Sequence, residues 1–357
     1  MKKRIACALL AAVGILLLIF DSKTAIAGAQ EGLDLCLSSL IPSLFPFLVL
    51  SAMLASSFGG ACPRQLHHLC RMMKIPDNAA GIFLTGLVGG YPSGAQAVAQ
   101  AWRNGQLTKP QAQKLLAISN QAGPAFLFGI VAARFDRMGV VWILWGIQIL
   151  SAILTGILLP AVSDAACSVT NEKSLSLTQA LKQGVTTMGY ICGWVVLFRM
   201  LILFLNRWIL WLLPMDVQVF IAGLLELTNG CCQLELVKNQ GLRFIICSGL
   251  LAFGGICVTL QTASVIGAIG IGHYLVGKLM QTIIALCLAA GMQLFLPYFS
   301  ERTEISVLIP ISIALSIVFC GIFLGKTKKT VAFRPQLVYN HCKRMIGGQQ
   351  HAVPKEN

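Results

Sequence analysis

Polar and small residues interrupt the long apolar runs of this chain at several places, and one of them is an acid. Glu226 follows Phe220-Ile221-Ala222-Gly223-Leu224-Leu225 and precedes Leu227-Thr228-Asn229-Gly230. Of the thirteen acidic residues it alone lies centrally in an apolar segment. A charged group at bilayer depth costs about 2.5–3.5 kcal/mol on insertion scales, so it normally faces a cavity or a partner. Glu226, with Thr228 and Asn229 beside it, could hold a coupling proton or Na+, or hydrogen-bond a solute. The structural alternative is an ion pair with Arg199, the other deep charge.

Ser93, Gly94 and Gln96 form a second group, just after Gly89-Gly90-Tyr91-Pro92. A helix beginning at Ser93 would aim free N–H groups and the positive end of its dipole into the membrane. Gln96 and Gln100 are four apart and share a helix face. A Gln amide donates and accepts together, as reading a base, a sugar or an amide requires. The alternative use of Gly, Ala and Ser here is close helix packing. Asn120 and Gln121 in one half, and Thr259, Gln261 and Thr262 in the other, follow the interrupted segments in matching places. Their alternative role is interhelical hydrogen bonding, about 0.6 kcal/mol per pair on average.

Hydrophobic residues make up 56% of the chain and charged ones 11%, with a mean hydropathy of +0.77. That is more apolar surface than a soluble core can bury, and several runs approach the ~20 residues that cross a bilayer as helix. The fold class is therefore an all-α polytopic membrane protein. The net charge of +14 is concentrated at the ends: Lys2, Lys3 and Arg4, and a tail over 326–357 rich in Lys and Arg. Both flank apolar spans, which places both termini in the cytoplasm and makes the number of crossings even. The charge suits anionic lipid headgroups, and nucleic acid is not expected as a partner. The segment 1–30 reads as a first transmembrane helix, either a signal anchor or a cleavable signal peptide ending near Ala25-Ile26-Ala27.

Helix-breaking residues define the rest. Residues 81–102 are broken at Gly89–Gly94 with basic residues on both flanks, which predicts a re-entrant hairpin. Residues 217–237 are broken around 228–230 and predict another. Spans are expected over 33–57, 115–133, 140–160, 184–206, 242–271, 274–297 and 305–324. The order span, broken hairpin, broken helix, span occurs twice. About eight spans and two hairpins then form two inverted repeats, 31–160 and 184–300. A linker over 161–183 joins them, and a last helix over 301–325 and the basic tail follow. Broken segments in matching places point to a midplane binding site.

Other chemistry is poorly represented. Thirteen cysteines, an odd number without paired spacing, argue against a disulfide framework. Cys62, His67, His68 and Cys70 match no structural-zinc spacing, and no metal or other cofactor is expected. No phosphate loop, HExxH or GxSxG motif appears, so the chain is not expected to be an enzyme.

The pair Gly89-Gly90-Tyr91-Pro92-Ser93-Gly94-Ala95 and Ser119-Asn120-Gln121-Ala122-Gly123-Pro124 resembles sporulation integral membrane proteins of the YlbJ type. These belong to the wider nucleoside-recognition, or Gate-domain, group. Pro42-Ser43-Leu44-Phe45-Pro46-Phe47 and the stretch 223–230 fit the same resemblance, which covers roughly residues 31–325. It implies a role in spore envelope formation in an endospore former, and kinship with nucleoside transporters whose paired hairpins hold substrate. Carried over, it supports Ser93, Gln96, Asn120, Glu226 and Asn229 as site residues, for a small polar or lipid-linked solute. The alternative is a membrane scaffold that transports nothing.

Overall fold

The computed structural model describes residues 2–57, 64–76, 79–162 and 175–295, and these are helical with no strands. Six described helices are long and apolar enough to cross a bilayer: Ser22–Met53, Lys109–Arg134, Met138–Leu158, Leu177–Trp208, Gln240–Ile269 and Gly272–Gln293. The chain is an all-α polytopic membrane protein. The span expected over 305–324, the tail, most of the linker, Cys62 and the side chain of His67 lie outside what is described.

The first helix, α1 (Lys2–Phe20), leaves Leu9, Val13, Leu16 and Ile19 exposed, as a helix facing lipid would. After Asp21 the chain continues at once as α2 (Ser22–Leu35), a π turn over Cys36–Leu40, and α3 (Ile41–Ser57). Residues 22–32 are therefore helical, although the sequence suggests a span beginning only at 33. Two features explain the extra turns. Gly28 and Gly32 let α2 approach α10 (Leu177–Trp208) so closely that a Cβ on either would sit within 2.8 Å of the Met200 or Val196 Cα. The polar residues of α2 also find partners there: Asp21 pairs with Arg207 at 3.3 Å, and Glu31 takes the Arg199 Nε–H at 2.9 Å.

A short helix, α4 (Arg64–Met73), precedes the first broken segment, α5 (Ala80–Gly89) and α6 (Ser93–Arg103). Then come α7 (Lys109–Ser119), an extended break at residues 120–123, one turn of helix, α8 (Pro124–Phe126), and π and 3-10 turns to Arg134. The long α9 (Met138–Leu158) follows. After α10 the order recurs. A second broken segment, α11 (Met215–Leu225) and α12 (Leu227–Cys232), leads to α13 (Gln240–Phe253), broken at Gly254-Gly255 from α14 (Gly255–Ile266), and then to α15 (Gly272–Phe295). Leu144, Cys247, Leu250, Ala285 and Ala289 from α9, α13 and α15 are fully buried in the largest apolar core.

Two lysines staple the end of α9. Lys114 is 5% exposed, and its ammonium donates to the carbonyls of Pro160 (3.0 Å), Lys74 (3.3 Å) and Leu159 (3.4 Å). Lys74 donates in turn to Ile157 O at 3.3 Å. The last carbonyls of a helix lack intrahelical donors, and a cation there satisfies both their lone pairs and the dipole. Lys114→Met should cost about 1–3 kcal/mol by leaving these carbonyls unpaired. Thermal unfolding of the detergent-solubilised protein would register the loss.

Arg134 and Arg243 are engaged locally. Arg134 pairs with Glu235 at 2.8 Å, and Arg243 donates to the carbonyls of Arg134 (3.2 Å) and Val237 (3.0 Å). Arg243 thus satisfies loop carbonyls, and Arg134 a carboxylate.

Candidate functional site

The tip of the first broken segment is built from Gly89-Gly90-Tyr91-Pro92. Gly90 has φ +71°, and a Cβ there would lie 2.8 Å from the Gly123 nitrogen, so only glycine fits. The tip thus rests on the break of the next helix, with the Tyr91–Pro92 peptide cis. Tyr91 reaches across to the other break: its hydroxyl donates to Leu251 O at 3.2 Å, and its ring occupies the space over Gly254.

The sequence-expected residues of this half divide. Gly94 packs directly on the Ser119–Asn120 backbone and leaves no room for a ligand. Ser93 is half-buried, beside Gly89 and the Ser51 hydroxyl, and its own hydroxyl has no hydrogen-bond partner among the described residues. Gln96 donates to Thr187 Oγ1 on α10 at 3.1 Å. Gln100, expected to share its face, is exposed.

Asn120 is the centre of the first cluster. It is fully buried, accepts from the Ala95 N–H at 3.3 Å, and donates to Thr262 Oγ1 at 2.8 Å and to the Tyr274 hydroxyl at 3.2 Å. One amide therefore ties α6, the α7 break, α14 and α15 together. Beside it Gln121 donates to Ile118 O (2.6 Å) and exchanges hydrogen bonds with Gln281 on α15, which also reaches Ser151 Oγ on α9 at 3.3 Å.

Into this cluster projects Lys278, 0% exposed. Its ammonium donates to Gln281 Oε1 at 2.9 Å and lies 5.1 Å from the Tyr91 ring centre and 6.0 Å from that of Tyr274. No carboxylate pairs with it among the described residues.

The second cluster surrounds Glu226, which is 2% exposed and caps α12. Its carboxylate accepts the backbone N–H groups of Thr228 (3.0 Å) and Asn229 (2.7 Å) and the Asn229 side-chain amide (2.7 Å). Arg199 makes its ion pair with Glu31, and its guanidinium donates to Asn229 Oδ1 at 2.9 Å. The link from Arg199 to Glu226 thus runs through Asn229. Thr228, Asn229 and Glu226 come together as expected.

The helix α14 stands between the clusters. Thr262 accepts from Asn120, whereas the Cys257 sulfur accepts from the amide of Gln261 at 3.3 Å. Positions five apart point about 140° away from each other around a helix. Gln261 is thus tied within its own helix, and Thr262 to the first half.

No family model matches the chain, and no solved structure matches it. Among curated proteins, the sporulation integral membrane protein YlbJ of Bacillus subtilis (strain 168) is 23% identical over 311 residues, covering 72% of this chain and 74% of the relative. The likeness to this YlbJ protein thus extends over most of both chains.

The residue that sequence reasoning missed is Lys278. It lies two turns inside α15, where a lysine near the start of a span reads as an interfacial flank. The available signal was Gln281, three residues on and on the same helix face, which puts an amide beside the ammonium.

Proposed function

We propose that this YlbJ-type protein acts in sporulation as a transporter-like membrane protein, moving a small polar or lipid-linked solute through a site at the tip of the first broken segment. On this reading the two broken segments are re-entrant hairpins of two inverted repeats, related to the Gate-domain group, with both termini in the cytoplasm. The observation that carries it is the buried Lys278 ammonium, with one hydrogen bond and no counter-charge among the described residues, where the tip and both broken helices meet. Uncompensated intramembrane charge is costly and marks solute or ion paths. Lys278 suits a carboxylate or phosphate, while the Ser93 hydroxyl, two residues after Tyr91, supplies a hydrogen-bonding group at the tip. A proton or Na+ at Glu226 is the proposed coupling ion.

The second reading, a scaffold that moves nothing, draws on Glu226. That carboxylate is fully occupied in capping its own helix, as a structural residue would be. Uptake by proteoliposomes separates the two, using nucleosides, small carboxylic acids, sugar phosphates and lipid-linked cell-wall precursors. Saturable flux that falls about tenfold or more in Glu226→Gln and Lys278→Met, with both variants still monodisperse, supports transport. No flux for any compound, with sporulation surviving both substitutions, favours the scaffold.

A further inference from the structure

We infer that Tyr91 is an intramolecular plug over Lys278, a selectivity residue that a solute must displace before it reaches the ammonium. This rests on the transport reading above and adds how access to that site is controlled. An ammonium has three donors, and Lys278 spends one on Gln281. The faces of Tyr91 and Tyr274 cover the rest, and a ring face attracts a cation without accepting a directed hydrogen bond. Such a contact holds the charge in the absence of solute and yields to an oxyanion, which offers directed lone pairs.

Of the two rings, Tyr91 is the one built to leave. Tyr274 is fully buried on α15 and held by Asn120, while Tyr91 is only partly buried and stands on the tip between two short helices. Its hydroxyl is held by a single acceptor, Leu251 O. In an unbroken helix that carbonyl would take the N–H of residue 255, but Gly254 and Gly255 both have positive φ, +83° and +84°. The break frees the carbonyl, and Tyr91 uses it as a latch. Release costs one hydrogen bond and one ring contact, and it exposes the ammonium on the side of the tip.

The test needs no knowledge of the solute. Lys278→Cys is labelled in membrane vesicles with sulfonatoethyl methanethiosulfonate, and modification of the peptide bearing position 278 is followed by mass spectrometry. The same cysteine labelled after unfolding in SDS gives the reference rate. With Tyr91→Ala added, labelling at 278 in the folded protein should rise at least about tenfold relative to that in the Tyr91 background, as removal of a covering ring predicts. Tyr91→Phe keeps the ring and loses the latch, and should fall between. Equal rates in all three backgrounds, or no labelling in any, would overturn the plug. If labelling behaves as expected and proteoliposomes show no flux, the plug stands and the transport reading fails.

Discussion

Gly86→Ala should remove almost all folded protein from the membrane, while Gly81→Ala, five residues earlier on the same helix, should be silent. A Cβ at Gly86 would overlap the Ser119 carbonyl oxygen and carbon, which are backbone atoms of the adjoining helix end and cannot turn aside. Around Gly81 nothing lies within 4 Å of such an atom. Helix propensity favours alanine at both sites by up to about 1 kcal/mol, so a loss at Gly86 can only come from packing. Overpacking typically costs 1–3 kcal/mol and more when backbone must shift, and here the shift would pull Asn120 from its partners, so about 3 kcal/mol or more is expected. The yield of monodisperse protein after detergent extraction reads the difference. Equal yields for the two variants would mean that α5 and α7 do not meet as described.

Asn120→Leu should cost about 2–4 kcal/mol, because it strands the Ala95 N–H and two buried hydroxyls at once. Interhelical hydrogen bonds in membranes average only about 0.6 kcal/mol, since an unfolded membrane chain finds other partners. The larger figure wins here because Thr262, Tyr274 and Asn120 are all fully buried, so water cannot replace the lost amide in the folded state. A double-mutant cycle with Thr262→Val, read by SDS titration, isolates one of the three bonds and should give coupling of about 0.5–1.5 kcal/mol. Zero coupling would place Thr262 away from Asn120.

What the sequence disclosed followed from local physics. Gly89-Gly90 with Pro92 cannot continue a helix, and neither can Gly254-Gly255 at positive φ. The break expected at Gly89–Gly94 is therefore in place, whereas the one expected around 228–230 falls instead at Glu226 and leaves 228–230 helical, because an acid there can cap the helix it starts. Partnership was harder to read. Arg199 and Glu226 are the deep charges visible in the chain, and simple attraction pairs them, yet Glu31 takes the ion pair and Asn229 stands between. Gln96 and Gln100 share a periodicity, but Gln96 reaches α10 whereas Gln100 is exposed. Lys278 escaped because a flanking lysine and a buried one look alike until the helix has neighbours.

The Tyr91–Leu251 and Asn120–Thr262 contacts join residues 160 and 142 positions apart. A ribosome adding 5–20 residues per second therefore leaves Tyr91 and Asn120 without these partners for on the order of ten to thirty seconds after they emerge. Through that interval the nascent first half must reside in or beside the bilayer with an unanswered amide and phenol, a state in which an insertase or a wet translocation channel would shelter them.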